Sequence, residues 1–171
     1  VLDKWIEKTF PTVTFVRYAD DVIVHCISEQ QSHYVQKAIK MRLENCKLRL
    51  NEVKTKITYC QNYRRGFRKD YPKKFDFLGY SFKPMSKASN KGGKFLGFDC
   101  EMSMKARIKV IDNWNKDDFL RDTSKNIQQL AEQLDSKTRG IINYYGKYNI
   151  YKVEKLLQNL NYRIAKWVKN K

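Results

Sequence analysis

The chain has 171 residues, enough to bury a core as one medium domain or two small ones, and its 35 Lys and Arg against 18 Asp and Glu leave a formal charge of +17. An excess of that size favours a polyanionic partner, nucleic acid being the commonest, over a merely soluble charged surface. No apolar run reaches the length of a membrane span and no signal-peptide pattern opens the chain, while Cys26, Cys46, Cys60 and Cys100, without a C-x-x-C pair and with only His25 and His33 beside them, argue against a disulfide framework or a zinc site.

Residues 1–8 (VLDKWIEK) read as the last turns of a helix, and Pro11 marks the entry into extended chain. Segments 13–18 and 22–27 are rich in β-branched and aromatic residues and are separated only by Ala19-Asp20-Asp21, a tight hairpin with both acids at its tip. Ser28 with Gln31 three residues on is a capping box, opening a helix whose Val35, Ile39, Leu43 and Cys46 recur at helical spacing and pack on the sheet. Short strands are expected at 56–60, 75–82 and 94–99. Two basic loops lie among them. The first, 61–74, carries Arg64, Arg65, Arg68, Lys69, Lys73 and Lys74 against Asp70 alone; the second, 83–93, adds Lys83, Lys87 and Lys91, with Pro84 and Gly92-Gly93 as breakers.

From Ser103 onward the pattern is helical, which places a boundary near 99–103 and divides the chain into 1–100 and 101–171. Ser103 caps a helix holding Met104, Ile108, Ile111 and Trp114, and Ile127, Leu130, Ala131 and Leu134 mark a second. Segment 138–148 is a third, broken at Gly140 and Gly146, and Val153, Leu157, Leu160, Ile164 and Trp167 form the core stripe of the last. The thiols are expected to be small buried hydrophobes of a reducing cytosol.

Two adjacent carboxylates repel each other, so holding both at a hairpin tip costs stability unless a cation neutralises them. The hard cations that suit such oxygens are Mg²⁺ and Mn²⁺. Two such ions about 3.5–4 Å apart can activate an attacking hydroxyl and stabilise the leaving oxygen of a phosphoryl transfer. Asp is also an ordinary turn residue, so the surrounding sequence has to decide between these readings.

The string Y-A-D-D, flanked by Phe15-Val16-Arg17 and Val22-Ile23-Val24, resembles the catalytic signature of reverse transcriptases, especially the group II intron reverse transcriptase/maturase family. Leu50-Asn51-Glu52-Val53-Lys54-Thr55-Lys56-Ile57 is similar to the segment, usually containing K-T-K, that ends the palm helix–strand unit. Phe75-Asp76-Phe77-Leu78-Gly79-Tyr80 resembles the F-x-F-L-G-Y hairpin that grips the primer end. Arg139-Gly140-Ile141-Ile142-Asn143-Tyr144-Tyr145 resembles the R-G-W-x-N-Y-Y signature of the maturase-specific thumb, with Ile141 where Trp is usual. The resemblance spans about residues 1–168.

It implies an α+β fold: part of a polymerase palm, an antiparallel sheet with the YADD hairpin and a packing helix, followed by an all-α helical thumb. It implies an RNA-directed DNA polymerase of a retroelement, using Mg²⁺ (or Mn²⁺), with RNA template, DNA primer, dNTP and intron RNA as partners, no membrane, and a cytoplasmic nucleoprotein as its setting. An RNA-binding splicing cofactor is the alternative. Asp20 would be a direct metal ligand and Asp21 its neighbour in the metal site. Lys54 would lie near the leaving pyrophosphate, with Lys56 left open as the other choice. Phe77, Leu78, Gly79 and Tyr80 would form the surface under the primer. Arg139, Tyr144 and Tyr145 would pack the thumb and touch the template–primer duplex, and Arg64, Arg65, Arg68, Lys73 and Lys74 would add phosphate contacts.

The family also carries a third catalytic Asp and a P-Q-G segment, both upstream of the helix that here begins at Val1, and fingers that hold the template; none is present in this sequence. Asp3 and Glu7 sit on a helix and do not replace a strand carboxylate. The expectation is therefore the C-terminal half of a palm plus a thumb, belonging to a longer enzyme and inactive alone.

Overall fold

A computed structural model describes residues 2–90, 92–116 and 120–171. The fold is α+β, in the order α1 (Leu2–Thr9), β1 (Thr14–Tyr18), β2 (Asp21–His25), α2 (Glu29–Asn45), β3 (Phe75–Phe77), β4 (Tyr80–Ala88), β5 (Lys94–Met102), α3 (Met104–Lys116), α4 (Ile127–Tyr145) and α5 (Ile150–Asn170). The chain divides into two compact units, Val1–Tyr59 with Lys69–Pro72, and Cys60–Arg68 with Lys73–Lys171. The expected division at 100 follows the change from strand to helix, whereas the compact units follow burial. Met102, on β5, shares a core with Trp114, Leu130, Leu134, Leu156, Leu160 and Trp167 of the helices.

In the first unit, α1 turns its apolar face inward. Ile6 is fully buried among Phe10, Val13 and Val35, with Trp5, Phe15, Val24, Ala38 and Ile39 packed around them. The Ser28 hydroxyl accepts from Gln31 N at 3.1 Å and the Gln31 side chain accepts from Ile27 N at 2.8 Å, which starts α2 where the sequence places it. Cys46, expected on the buried face of α2, is instead exposed at its C-cap. Among the four thiols only Cys100 is buried, Cys26 and Cys60 being intermediate. The strand expected at 56–60 does not form. That segment has strand-like residues but no ladder partner, and its backbone bond runs from Tyr59 N to Pro72 O at 2.8 Å. Segment 69–72 is held to α2 by Tyr71, whose hydroxyl donates to Glu29 at 2.6 Å and lies 3.0 Å from His33 Nε2.

In the second unit the strands are antiparallel in the order β3-β4-β5. The strand expected at 75–82 is two strands folded about Leu78-Gly79, and much of the loop expected at 83–93 is strand, paired from Tyr80↔Met102 to Ala88↔Lys94. Lysine spacing concealed this, because two of the lysines meet acids on β5: Lys83 pairs with Glu101 at 2.7 Å and Lys87 with Asp99. Glu101 is buried and has a second cation, Lys152, at 3.6 Å, as a buried charge requires. Pro84 is tolerated because β3 ends at the partner of Phe82, beyond which one side of β4 carries no ladder. Residue 91 of the expected loop lies outside the described residues.

Ser103 caps α3 through its hydroxyl, which accepts from Ala106 N at 3.1 Å. The second and third expected helices are one, α4, opened by a capping box between Asn126 and Gln129. Gly140 does not break it, since one interior glycine costs only about 1 kcal/mol and Leu130, Leu134, Ile141 and Tyr145 anchor the helix on both sides. On α5 the buried stripe is Val153, Leu156, Leu160 and Trp167, with Leu157 and Ile164 only partly buried. Met104 and Ile108, expected in the core, are exposed. Among the described residues no helix is long and apolar enough to cross a membrane.

Leu156 has no exposed surface. Leu156→Ala should lower unfolding stability by about 2–5 kcal/mol, and Ile108→Ala should stay within about 0.5 kcal/mol of the parent; denaturant titration of both variants checks the contrast.

Candidate active site and nucleic-acid interface

The β1–β2 ladder closes at Tyr18↔Asp21, which leaves Ala19 and Asp20 as a two-residue turn with Asp21 opening β2. Ala19 adopts φ 50, a left-handed conformation that a side chain disfavours. Arg17 supports it. Its Nη1 donates to Ala19 O at 2.9 Å, while Nε and Nη2 donate to Asp3 Oδ1 and Oδ2 at 2.6 and 2.7 Å. The turn is thus tied to α1 by a bidentate ion pair. Hydrogen bonding to Arg17 holds the Asp3 carboxyl below its usual range, and Asp3 in turn raises Arg17, to which Asp20 adds a weaker pull. Asp20 and Asp21 are both exposed.

As donors, two adjacent exposed carboxylates fit a hard divalent ion such as Mg²⁺ or Mn²⁺. They are short of a full set: among the described residues no group of three or more His, Cys, Asp or Glu could hold a metal. Lys54 lies on a turn built by Asn51, whose side chain accepts from Lys54 N at 3.1 Å and whose carbonyl accepts from Thr55 N at 2.9 Å. Lys54 and Lys56 are both exposed.

In the second unit, Phe77↔Tyr80 closes another two-residue turn, Leu78-Gly79, with φ 49 and 78. Both residues being left-handed, this is the backbone of a tight primed hairpin, and only the second carries glycine. Three ties hold it. Tyr144 Oη donates to Leu78 O at 2.8 Å, Ser103 N donates to Gly79 O at 2.8 Å, and the Tyr145 ring lies against Gly79 so closely that a Cβ there would sit 2.6 Å from its hydroxyl. Tyr80 is buried and donates to Tyr144 O; burial pushes its phenol up to about 12, with Tyr144, Cys100, Tyr148 and Tyr145 adding to the shift.

Five of the residues singled out by sequence, Leu78, Gly79, Tyr80, Tyr144 and Tyr145, therefore form one cluster. Phe77 is half-buried on β3. Arg139 is exposed on α4 and paired with Asp135 one turn earlier. Arg64, Arg65, Arg68 and Lys74 are exposed and Lys73 is half-buried. Sequence reading gave Ser103 only a capping role and passed over Tyr63 and Phe67, whose interleaving with arginines in Tyr63-Arg64-Arg65-Gly66-Phe67-Arg68 was the available signal.

Residues 1–82 match the family model for reverse transcriptase (RNA-dependent DNA polymerase), and residues 102–171 match the model for the group II intron maturase-specific domain. The chain belongs to the group II intron reverse transcriptase/maturase family. No curated protein and no solved structure matches it. The acidic turn, Lys54, the basic loop and the Leu78-Gly79 turn lie within the first match, and Arg139, Tyr144 and Tyr145 within the second.

Gly79→Ala should destabilise the second unit by about 1–3 kcal/mol, since it adds both left-handed strain and a clash. Adding Tyr145→Phe should recover part of that loss, because the nearest clashing atom is the Tyr145 hydroxyl. Thermal unfolding of the single and double variants reads both terms.

Proposed function

We propose that the chain supplies part of the active site of an RNA-directed DNA polymerase, which transfers a nucleotide from a dNTP to a primer 3′-hydroxyl. The observation that carries this reading is the pair of exposed acids at the β1–β2 turn, Asp20 within the turn and Asp21 opening β2, in a segment that matches the reverse transcriptase model. Asp20 and Asp21 hold the divalent ion. When bound, Mg²⁺ or Mn²⁺ there supplies positive charge to the attacking and leaving oxygens. The Arg17–Asp3 pair fixes the turn so that the carboxylates need not be organised at the moment of reaction. Lys54, with Lys56 as the other choice, serves as the cation for the departing pyrophosphate, and Leu78, Gly79 and Tyr80 support the primer end. Two carboxylates hold such ions poorly without a third. The reading therefore requires a third carboxylate from a parent polymerase and expects residues 1–171 to be inactive by themselves.

A second reading, an RNA-binding maturase module, is favoured by the exposed arginines of 60–68 and the formal charge of +17. Both activities can reside in one family member.

In a polymerase containing this chain, Asp20→Asn should abolish nucleotide incorporation at Mg²⁺ concentrations that support the parent, while RNA affinity stays level or rises because a negative charge is lost. Retained incorporation would overturn the metal role, and a large loss of affinity would make the acid structural. RNA affinity should fall by about 0.7–0.9 log units per log unit of salt for each phosphate neutralised. Replacing Arg64, Arg65 and Arg68 together with Gln should flatten that slope, and an unchanged slope would remove the loop from the interface.

A further inference from the structure

The basic loop is ordered against the sheet. Tyr63 N donates to Leu96 O at 2.8 Å, pinning the loop along β5, and the Asn62 side chain accepts from Arg64 N and Arg65 N, each at 3.0 Å. Held this way, Tyr63 is 61% exposed and Phe67 66% exposed. Tyr63 meets Phe95 edge-on, with centroids 5.7 Å apart, and Phe95 is itself exposed. Each leading ring also carries a cation. Arg64 Nε donates to the Tyr63 hydroxyl at 2.7 Å with its guanidinium carbon 5.3 Å from the ring centroid, and Lys73 Nζ lies 3.2 Å from the centroid of Phe67.

Single exposed apolar side chains are ordinary, but here two exposed rings lie on a short loop among Arg64, Arg65 and Arg68, with Phe95 of β5 against Tyr63 and Lys73 over Phe67. Filling a core does not account for rings this exposed. A protein partner drawn to the rings would have to desolvate the surrounding cations. A duplex offers phosphates to the cations but keeps its base faces stacked internally. An unpaired strand offers both at once, bases for the rings and phosphates for the cations.

We infer that Tyr63 and Phe67 form a stacking platform for the unpaired bases of a single-stranded nucleic acid, with Arg64 and Lys73 set to meet its phosphates. This deepens the RNA-binding reading above and rests on it. The cations supply salt-dependent affinity, and the rings supply the preference for unpaired over paired strands.

The test is fluorescence anisotropy of the full chain with a labelled oligouridine, the matching oligothymidine and a short RNA duplex, each across a salt series. Tyr63→Ala/Phe67→Ala should weaken single-strand binding at least about 25-fold, leave the salt slope unchanged and alter duplex binding by no more than about twofold. Tyr63→Phe should bind as the parent does, because the stacking face survives, whereas Phe67→Leu, which keeps apolar bulk without a π-face, should lose affinity. Stronger binding of oligouridine would assign the strand to RNA and stronger binding of oligothymidine to DNA, and either result keeps the platform. Single-strand affinity undisturbed in the double variant, with a normal salt slope, would overturn the platform and leave the RNA-binding reading standing. Equal losses on single strand and duplex would also overturn it, since the loop would merely have lost its shape. No salt-dependent binding by the parent would overturn both.

Discussion

The bidentate pair between Arg17 and Asp3 is the interaction on which the acidic turn depends. An ion pair this exposed contributes little to global stability. Its importance is geometric: the same guanidinium that grips Asp3 also donates to the carbonyl of Ala19, the strained residue immediately before the two acids. A tight turn in left-handed backbone with adjacent like charges has two reasons to relax. A planar cation anchored on a helix opposes both, through its hydrogen bond and its charge.

The second unit solves a similar problem by other means. Leu78 occupies a left-handed position that glycine would fill at less cost, and the turn keeps its shape through Tyr144, Ser103 and Tyr145. Here the ties are neutral and partly buried. A phenol, a backbone amide and a ring face replace the ion pair, and the Tyr80 hydroxyl is committed to Tyr144 O. In each unit a strained two-residue turn carries residues of the candidate site, and side chains distant in sequence hold it. Strain of this kind persists only where the surroundings over-determine it. Tyr144 and Tyr145, within the match to the maturase-specific domain, thus have a physical task inside their own unit, bracing the Leu78-Gly79 hairpin.

Features encoded within a few residues were legible in the sequence. The Ser28–Gln31 cap and the Ser103 cap each rest on contacts at most four positions apart, the Y-A-D-D hairpin pairs two segments that follow each other directly in the chain, and each is found where expected. Features that depend on a distant partner were not. Residues 56–60 have strand composition but no neighbouring strand, and the lysines of 83–88 looked like loop until Asp99 and Glu101 appeared opposite them. Gly140 read as a break because its cost is local, whereas the packing that outweighs it comes from residues on either side. The site followed the same rule. Asp20, Asp21 and Gly79 stand out through the motifs that resemble the family's, but the roles of Arg17, Ser103 and Tyr63 exist only once the chain has folded. Arg17 in particular was read as a flank of the motif, although its partner Asp3 lies 14 positions earlier.

That Asp20 and Asp21 hold a divalent ion is tested most directly by adding Mn²⁺ to the isotope-labelled chain and following amide line broadening by NMR. The amides of Ala19, Asp20, Asp21 and Val22 should broaden first, at Mn²⁺ on the order of 1 mM or below, and Asp20→Asn/Asp21→Asn should abolish the effect. Broadening centred on other carboxylates, or undiminished in the double variant, would contradict the metal role of the turn.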